Sequence, residues 1–323
     1  MIKKAWPFVC LLLIFAMLLS SCSPASVEAS PPLRVEYTIW EGDYTLLIAQ
    51  EKGFFAKYGV EVEPVFYEVF SEVIPDFGAK KVDGGLLAIG DLLATANIVP
   101  VRAVAALDSG GTLSVMARPE IDSVAALQGK SVGVLVDTYG ELVVRLMLKS
   151  AGLTARDVTL VNVDPELVPE KLASGEIAAG FVWDPWDRIA IEAGNKVLFA
   201  QTSDVPLFPD VIVFSDEVIQ KRPDDVRAFL KAWFEALAYR QANPVECQEI
   251  IARITNQTVE DVAPTNKIIL YDHADNLRLF DTNTPPEESI YEMAKVNLQF
   301  MIDQGTISIS PKIENILDPT FLK

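Results

Sequence analysis

The sequence predicts an α/β protein built as two successive lobes, each a mostly parallel sheet flanked by helices. Three features carry that expectation. Short apolar runs of β type alternate with helical patterns from Leu33 to Ala117, the alternation restarts after Arg118, and from Pro223 onward the chain is almost all helix. Strands joined through helices take crossover connections, which make the sheet parallel and cover both of its faces.

The elements follow in order. Leu33–Trp40 is the first strand, Thr45–Tyr58 a helix stopped by Gly59, and Val60–Tyr67 the second strand. Ser71–Ala79 is a helix, Gly85–Ile89 a strand and Asp91–Asn97 a helix; Val101–Leu107 and Leu113–Ala117 are strands. Past Arg118, Val124–Leu127 is a helical turn before Gly129, Ser131–Val136 an apolar strand, and Gly140–Ala151 an amphipathic helix closed by Gly152. Val158–Val163 is a strand and Pro165–Ser174 a helix stopped by Gly175. Ala178–Val182 is a strand ending in Trp183-Asp184-Pro185-Trp186, followed by the helix Asp187–Ala193 and the strand Lys196–Ala200. Four amphipathic helices end the chain, Asp224–Asn243, Pro244–Thr255, Val259–Leu270 and Glu287–Gln304, and their apolar faces are expected to pack back onto the first lobe. Phe229, Leu230, Trp233 and Leu237 form one such stripe, and Phe54 and Phe55 are core candidates. The expected organisation is 1–21 as a leader, 22–32 as a tether, 33–117 plus 216–323 as lobe 1 and 118–215 as lobe 2. Two crossings, near Ala117–Pro119 and Val211–Ser215, would make a two-strand hinge, and two hinged lobes make a clamshell with its ligand in the cleft.

The leader has a definite pattern. Lys3 and Lys4 precede an apolar run from Val9 to Leu19, too short to span a bilayer core of about 30 Å, and Leu19-Ser20-Ser21-Cys22 follows. This resembles a bacterial lipoprotein signal cut before Cys22, which implies a fatty-acylated Cys22, palmitate among the acyl chains, and a chain held by its lipid at an extracytoplasmic membrane face. Residues Ser23–Pro32, rich in Ser, Pro and Ala, read as a flexible tether. The leader takes two basic residues and no acid with it, moving the formal charge of −18 to −20. So acidic a chain is unsuited to nucleic acid, which rewards clustered Lys and Arg.

Cys247 is the one thiol left beyond Cys22, so no internal disulfide is available, and a buried packing role is expected. His273 is the one histidine and has no cysteine near it in sequence, which gives no support to a metal site or a Cys/His nucleophile. The chain has no GxGxxG, P-loop, GxSxG or HExxH motif, and no cofactor is expected.

Three segments in order carry a family resemblance. Ile48-Ala49-Gln50-Glu51-Lys52-Gly53-Phe54-Phe55-Ala56-Lys57-Tyr58-Gly59-Val60, then Asp122 to Gly133 with Leu127-Gln128-Gly129-Lys130, then Leu172 to Trp186 with Trp183-Asp184-Pro185-Trp186, are similar to segments of substrate-binding proteins for nitrate, sulfonate, taurine and thiamine-pyrimidine import. The resemblance spans Leu33 to about Phe234. It implies the type II periplasmic-binding-protein fold and a monomer that captures a small nitrogen- or sulfur-containing solute. It also implies delivery of that solute to the permease subunits of an ABC importer with a cytoplasmic ATPase. Such a receptor performs no chemistry. A ligand-sensing receptor domain is the alternative, and a thiamine-pyrimidine synthase of the same fold is a weaker one. That synthase branch uses its own histidine, pyridoxal phosphate and a cysteine-rich iron segment, and no such segment exists here.

In α/β sheets ligands sit beyond the carboxyl ends of strands. That rule, with the family positions, selects Trp40, Glu41, Asp43, Tyr44, Ser71, Asp91, Asp137, Thr138, Tyr139, Trp183, Asp184 and Trp186 as ligand-binding candidates. Ser71 and Thr138 open helices, whose free N–H groups suit an anion. The aromatic rings suit a planar ring or a cation. The acids, with no Lys or Arg in these loops, favour a ligand with N–H donors or a positive amine. Asp43, Asp91 and Asp137 also stand where helix-capping residues stand, which is the competing explanation for each.

Overall fold

The computed structural model describes residues 30–111, 113–201, 208–264, 268–305, 307 and 311–323. The leader 1–21, Cys22 and the tether up to residue 29 lie outside the described residues. The chain runs β1 (Leu33–Tyr37), α1 (Tyr44–Glu51), α2 (Phe54–Lys57), β2 (Val62–Phe66), a 3-10 turn (Phe70–Glu72) leading into α3 (Val73–Gly78), β3 (Gly84–Ala88), α4 (Ile89–Ala96) and β4 (Val101–Gly110). It continues with β5 (Leu113–Ala117), β6 (Ser131–Val134), α5 (Tyr139–Ser150), β7 (Thr159–Asn162), a 3-10 turn (Pro165–Leu167) with α6 (Val168–Ser174), β8 (Ala179–Val182), α7 (Trp186–Glu192) and β9 (Lys196–Gln201). The last part holds β10 (Asp210–Ser215), α8 (Asp216–Lys221), α9 (Pro223–Ala242), α10 (Pro244–Thr255), β11 (Ile268–Leu270), α11 (His273–Leu279), α12 (Ile290–Gln304) and α13 (Ile313–Ile316).

Two helix-flanked sheets result, ordered β11-β4-β10-β3-β1-β2 and β7-β6-β8-β5-β9. Within this two-lobed α/β architecture most strands of each sheet run in one direction, as expected, and each sheet also holds antiparallel members. Strands β2, β1 and β3 are parallel, as are β7, β6 and β8. By contrast β10 lies antiparallel between β3 and β4, β11 antiparallel to β4, and β5 antiparallel to both β8 and β9. The reason is connectivity. The parallel strands are joined through helices, whereas β5 and β10 enter their sheets from the crossings between sheets, where no helical crossover constrains direction.

Sheet membership also moves the crossings. The chain leaves the first sheet after Gly110 and rejoins it at Asp210, so β5 belongs to the second sheet and β10 to the first. The first crossing turns on Gly110 and Gly111, whose φ values are 102° and 78°. At Gly111 a Cβ would sit 2.4 Å from the Trp40 ring, so a side chain is barred both by the left-handed backbone and by the indole packed on it.

Helices after β10 cover the first sheet, as their apolar stripes require. On α9, Val226, Phe229, Leu230, Trp233, Ala236 and Leu237 are all buried, and the Phe229 ring stacks on Phe55 at 5.1 Å. Cys247 is buried on α10, as expected of a packing cysteine. The expected helix Val259–Leu270 does not form. Asn256 ends α10 in the left-handed conformation, Pro264 interrupts the next stretch, and Ile268-Ile269-Leu270 pairs with Ser109 and its neighbours as the edge strand β11. Helices α8 and α11 were not anticipated from sequence, and β10 was expected only as part of a crossing. His273 is the first residue of α11, exposed, with Nε2 2.8 Å from the Leu322 carbonyl oxygen.

Candidate functional site

The carboxyl ends of β1 and β3 in the first sheet and of β8 in the second face a common cavity of about 40 Å3. Its walls include Trp40 and Asp43 after β1, Asp91 in the first turn of α4, Asp210 at the start of β10, Tyr139 at the start of α5, and Trp183 after β8. Thr38, Phe70 and Phe208 complete its polar and aromatic lining, and no Lys, Arg or His lines it among the described residues.

Each acid is held by local structure. Asp43 closes the β1–α1 loop on itself: its Oδ2 accepts the Thr38 N–H at 2.9 Å and the Thr38 hydroxyl at 3.1 Å. Trp40 is aimed by Asp108, whose Oδ2 accepts the indole N–H at 2.9 Å. Gly42 leaves the room for this, since a Cβ there would lie 1.7 Å from the same oxygen. Asp91 is fully buried; its Oδ1 accepts the Tyr139 N–H at 3.4 Å across the two lobes, and its Oδ2 has no partner among the described residues. Below them Glu36, also fully buried, accepts the Leu86 N–H at 2.9 Å through Oε1, and its Oε2 is unpartnered among the described residues. On the second-lobe side the rings form a cluster. Tyr139 stacks on Trp183 at 6.3 Å with 21° between planes, and Phe70 meets Trp183 edge-on at 6.0 Å.

Electrostatics follow from crowding acids where water is excluded. Burial holds Glu36, Asp43, Asp108 and Asp210 well above the ordinary carboxyl range, and their mutual repulsion adds to it. Burial pushes Asp91 up to about 7, offset in part by the Tyr139 N–H. The Tyr139 hydroxyl is raised as well, by burial and then by the charge of Asp210 and Asp91. Arg240, the nearest buried cation behind this group, donates to the Glu41 carbonyl at 2.9 Å and to Thr45 Oγ1 at 3.2 Å. The cavity is thus a set of carboxyls short of counter-charge, walled by flat rings. Among the described residues no His, Cys, Asp and Glu group is arranged to hold a metal ion. That chemistry suits an organic solute carrying N–H donors or a positive charge.

Of the residues selected from sequence, Trp40, Asp43, Asp91, Tyr139 and Trp183 meet around this cavity. Glu41, Tyr44 and Asp184 line a separate small cleft with Asp261 and Val262. Ser71 bonds to Asp164 of the other lobe, its N–H to Oδ1 at 2.9 Å and its hydroxyl to Oδ2 at 3.0 Å. Asp137 is exposed at φ 64°, and Thr138, the N-cap of α5, donates its hydroxyl to the Leu135 carbonyl at 2.7 Å. Trp186 is half-buried against the second-lobe core of Met116 and Val182. Cys22 lies outside the described residues. Asp210 escaped the sequence reading for a geometric reason. The strand-end rule points past each strand's last residue, but β10 is antiparallel, so its first residue, paired with Ala88 at the end of β3, lies at the same sheet edge. Phe208, two residues earlier, escaped with it.

Known proteins give this geometry a context. A binding protein of Brucella abortus (strain 2308) is 30% identical over 227 residues, which cover 69% of this chain and 71% of that protein. The Saccharomyces cerevisiae 4-amino-5-hydroxymethyl-2-methylpyrimidine phosphate synthase THI13 is 28% identical over 219 residues, 62% of this chain and 64% of that enzyme. Among solved structures, the alkanesulfonate-binding protein SsuA of Xanthomonas axonopodis pv. citri, bound to MOPS, superposes with a TM-score of 0.73 at 13% identity over 90% of this chain and 99% of its own, a likeness of fold. Residues 43–247, more than half of the sequence, match the profile described as NMT1/THI5 like, and the chain belongs to the NMT1/THI5-like family.

Proposed function

We propose that this chain is the extracytoplasmic receptor of an ATP-driven importer, held to the membrane by a lipid on Cys22, and that its cargo is a small, flat, nitrogen-bearing solute of the aminopyrimidine class. One observation carries the cargo class: an interlobe cavity lined by Asp43, Asp91 and Asp210 and by aromatic rings, with no lining cation among the described residues. A solute with a protonated ring nitrogen or amino group satisfies the orphan Asp91 oxygen and neutralises buried charge, while Trp183, Tyr139 and Trp40 cover its faces. A bare sulfonate or nitrate meets carboxyls instead. At about 40 Å3 the cavity leaves little room for a solute, so the lobes part to admit it, flexing at the crossing near Gly110–Gly111, and the loaded, closed form docks on the permease.

The yeast synthase relative favours a second reading, an enzyme that builds the same kind of ring. His273 argues against it, because this single histidine lies at the surface on α11, bonded to Leu322 and outside the cavity.

A thermal-shift screen of the chain from Ser23 onward tests the cargo class. An aminopyrimidine at about a hundred times its Kd is expected to add about 2.7 kcal/mol and raise the melting temperature by several degrees. Stabilisation by alkanesulfonates or nitrate alone would overturn the cation-seeking assignment. With a ligand in hand, the two tryptophans separate. Trp183→Ala, which strips a cavity wall, is expected to weaken capture about tenfold or more. Trp186→Ala is expected to leave affinity within about threefold and to lower the melting temperature instead, since it removes packing on the second-lobe core.

A further inference from the structure

We infer that Asp164 and Arg188 are positioning residues that lock the closed lobes together, so that they set solute affinity without touching solute; the affinity part rests on the cavity being the solute site. The geometry consists of two polar clasps that run from the second lobe to the first, one of them one residue from the cavity wall Phe70 and the other held by Asp184, which follows the cavity wall Trp183.

In the first clasp, Asp164, which follows β7, takes both the N–H and the hydroxyl of Ser71, at 2.9 Å and 3.0 Å. The helical run Phe70–Gly78 of the first lobe therefore has the N–H of its second residue capped by a carboxylate of the second lobe. Free N–H groups at a helix start ordinarily seek an acceptor within their own loop or from water. Here Val69, at the N-cap position of the turn, makes no side-chain cap, and the acceptor comes from across the cleft. Phe70, between the clasp and the interior, lines the cavity. A helix start at Ser71 suits an anion, and here the protein's own Asp164 carboxylate occupies it.

In the second clasp, Arg188 on α7 reaches Asp261 of the first-lobe segment after α10, with Nη1 3.4 Å from Oδ1 and Nη2 3.2 Å from the carbonyl oxygen. Both ends are preset. Asp184 receives Arg188 Nε at 3.3 Å, and Asp261 is held by the Thr258 hydroxyl at 2.6 Å. Asp184 directly follows Trp183, a cavity wall. Opening the lobes breaks both clasps and wets their partners. They add to the closed state only after closure, which places their effect on solute release. Their partial exposure makes the effect modest.

The test uses the chain from Ser23 onward, which contains every described residue, spin-labelled through Glu61→Cys in the first lobe and Glu192→Cys in the second, both exposed sites. Pulsed dipolar spectroscopy then reads the interlobe distance without any ligand. The clasps predict that Asp164→Ala, and more so Asp164→Ala combined with Arg188→Ala, broadens the distribution toward longer distances, and that Asp164→Asn, which keeps an acceptor for Ser71, restores most of it. Solute release, where a solute is known, is expected to quicken by about threefold for one clasp and about tenfold for both, with Ser71→Ala and Asp164→Ala non-additive. Unchanged distances and additive effects would overturn the clasps. Distances that lengthen while no solute stabilises the parent chain would leave the clasps standing and remove the solute reading.

Discussion

Asp91→Asn is expected to weaken solute capture by about tenfold to a hundredfold and to flatten its dependence on pH. The magnitude is that of one charge-assisted hydrogen bond in a buried site, about 1.5–3 kcal/mol. The sign of the pH effect follows from the direction of the shift. Burial raises the folded-state pKa of Asp91 to about 7, above its ordinary value near 3.8, so the empty fold holds this proton more tightly than the unfolded chain does. The stability this proton gives the empty protein is complete at low pH, declines as pH rises through the interval from about 4 to about 7, and is gone above it. A cationic solute reverses the preference, since it pairs with the ionised carboxyl. Capture below about pH 7 therefore releases a proton, and affinity climbs as pH approaches 7. Asp43, Asp210 and Tyr139 line the same space and Glu36 lies buried beneath it; all four groups are raised by burial, so they reinforce the sign. Calorimetric titration from about pH 5 to about pH 9, in two buffers of different ionisation enthalpy, counts the protons. The asparagine variant is expected to lose most of the count and to melt higher than the parent chain above pH 7, because no charge is then buried unpaired. Full affinity in Asp91→Asn would show that solute binds elsewhere.

How far such a site is legible in sequence depends on which rule its residues obey. Trp40, Asp43, Asp91 and Trp183 follow strands, and a rule about strand ends finds them. The same rule also returns Trp186 and Asp137, because it specifies a neighbourhood and not a direction. Two residues separate Trp183 from Trp186, and the turn between them sends one ring to the cavity and the other to the core. Asp210 shows the opposite failure. Its location depends on a strand direction that local pattern does not encode, since Val211–Phe214 reads equally well as a parallel or an antiparallel strand. Ser71 shows a third kind. The helix start suits an anion by its local pattern, but the carboxylate it meets belongs to residue 164, and a contact 93 positions away leaves no local trace.

For the fold, alternation and punctuation carried most of the information. The strands of the parallel sets are bounded within a few residues by their apolar runs, and Gly59, Gly152 and Gly175 stand just past helix ends with positive φ. What escaped was set by tertiary pairing. Ile268–Leu270 becomes a strand because the edge of β4 is open to it, and the crossing points shifted because β5 is as apolar as any first-lobe strand while pairing with β8 and β9.

The amphipathic stripe of α9 was legible from spacing alone, and it leads to the largest stability effect expected here. Phe229→Ala is expected to cost about 3–5 kcal/mol, a large fraction of the 5–15 kcal/mol typical of a folded domain. Phe229 is fully buried and joins three elements: it stacks on Phe55 of α2 at 5.1 Å, meets Phe214 of β10 edge-on at 5.2 Å, and lies over Trp233 of its own helix at 6.1 Å. Truncation opens a cavity where a helix, a sheet and a short helix converge, and none of the three can close it without breaking its own hydrogen bonds. Trp233→Phe provides the contrast. The Trp233 indole N–H is buried without a partner among the described residues, so the exchange sheds an unmet donor along with some volume, and a loss under about 1.5 kcal/mol is expected. Urea unfolding of the chain from Ser23 onward measures both. Because the ring cluster lies in the first-lobe core and outside the cavity walls, Phe229→Ala is expected to leave the affinity of the surviving folded protein within about twofold. A loss below about 1 kcal/mol would mean that α9 packs on the sheet by its neighbours Val226, Leu230 and Trp233 and that Phe229 is not its keystone.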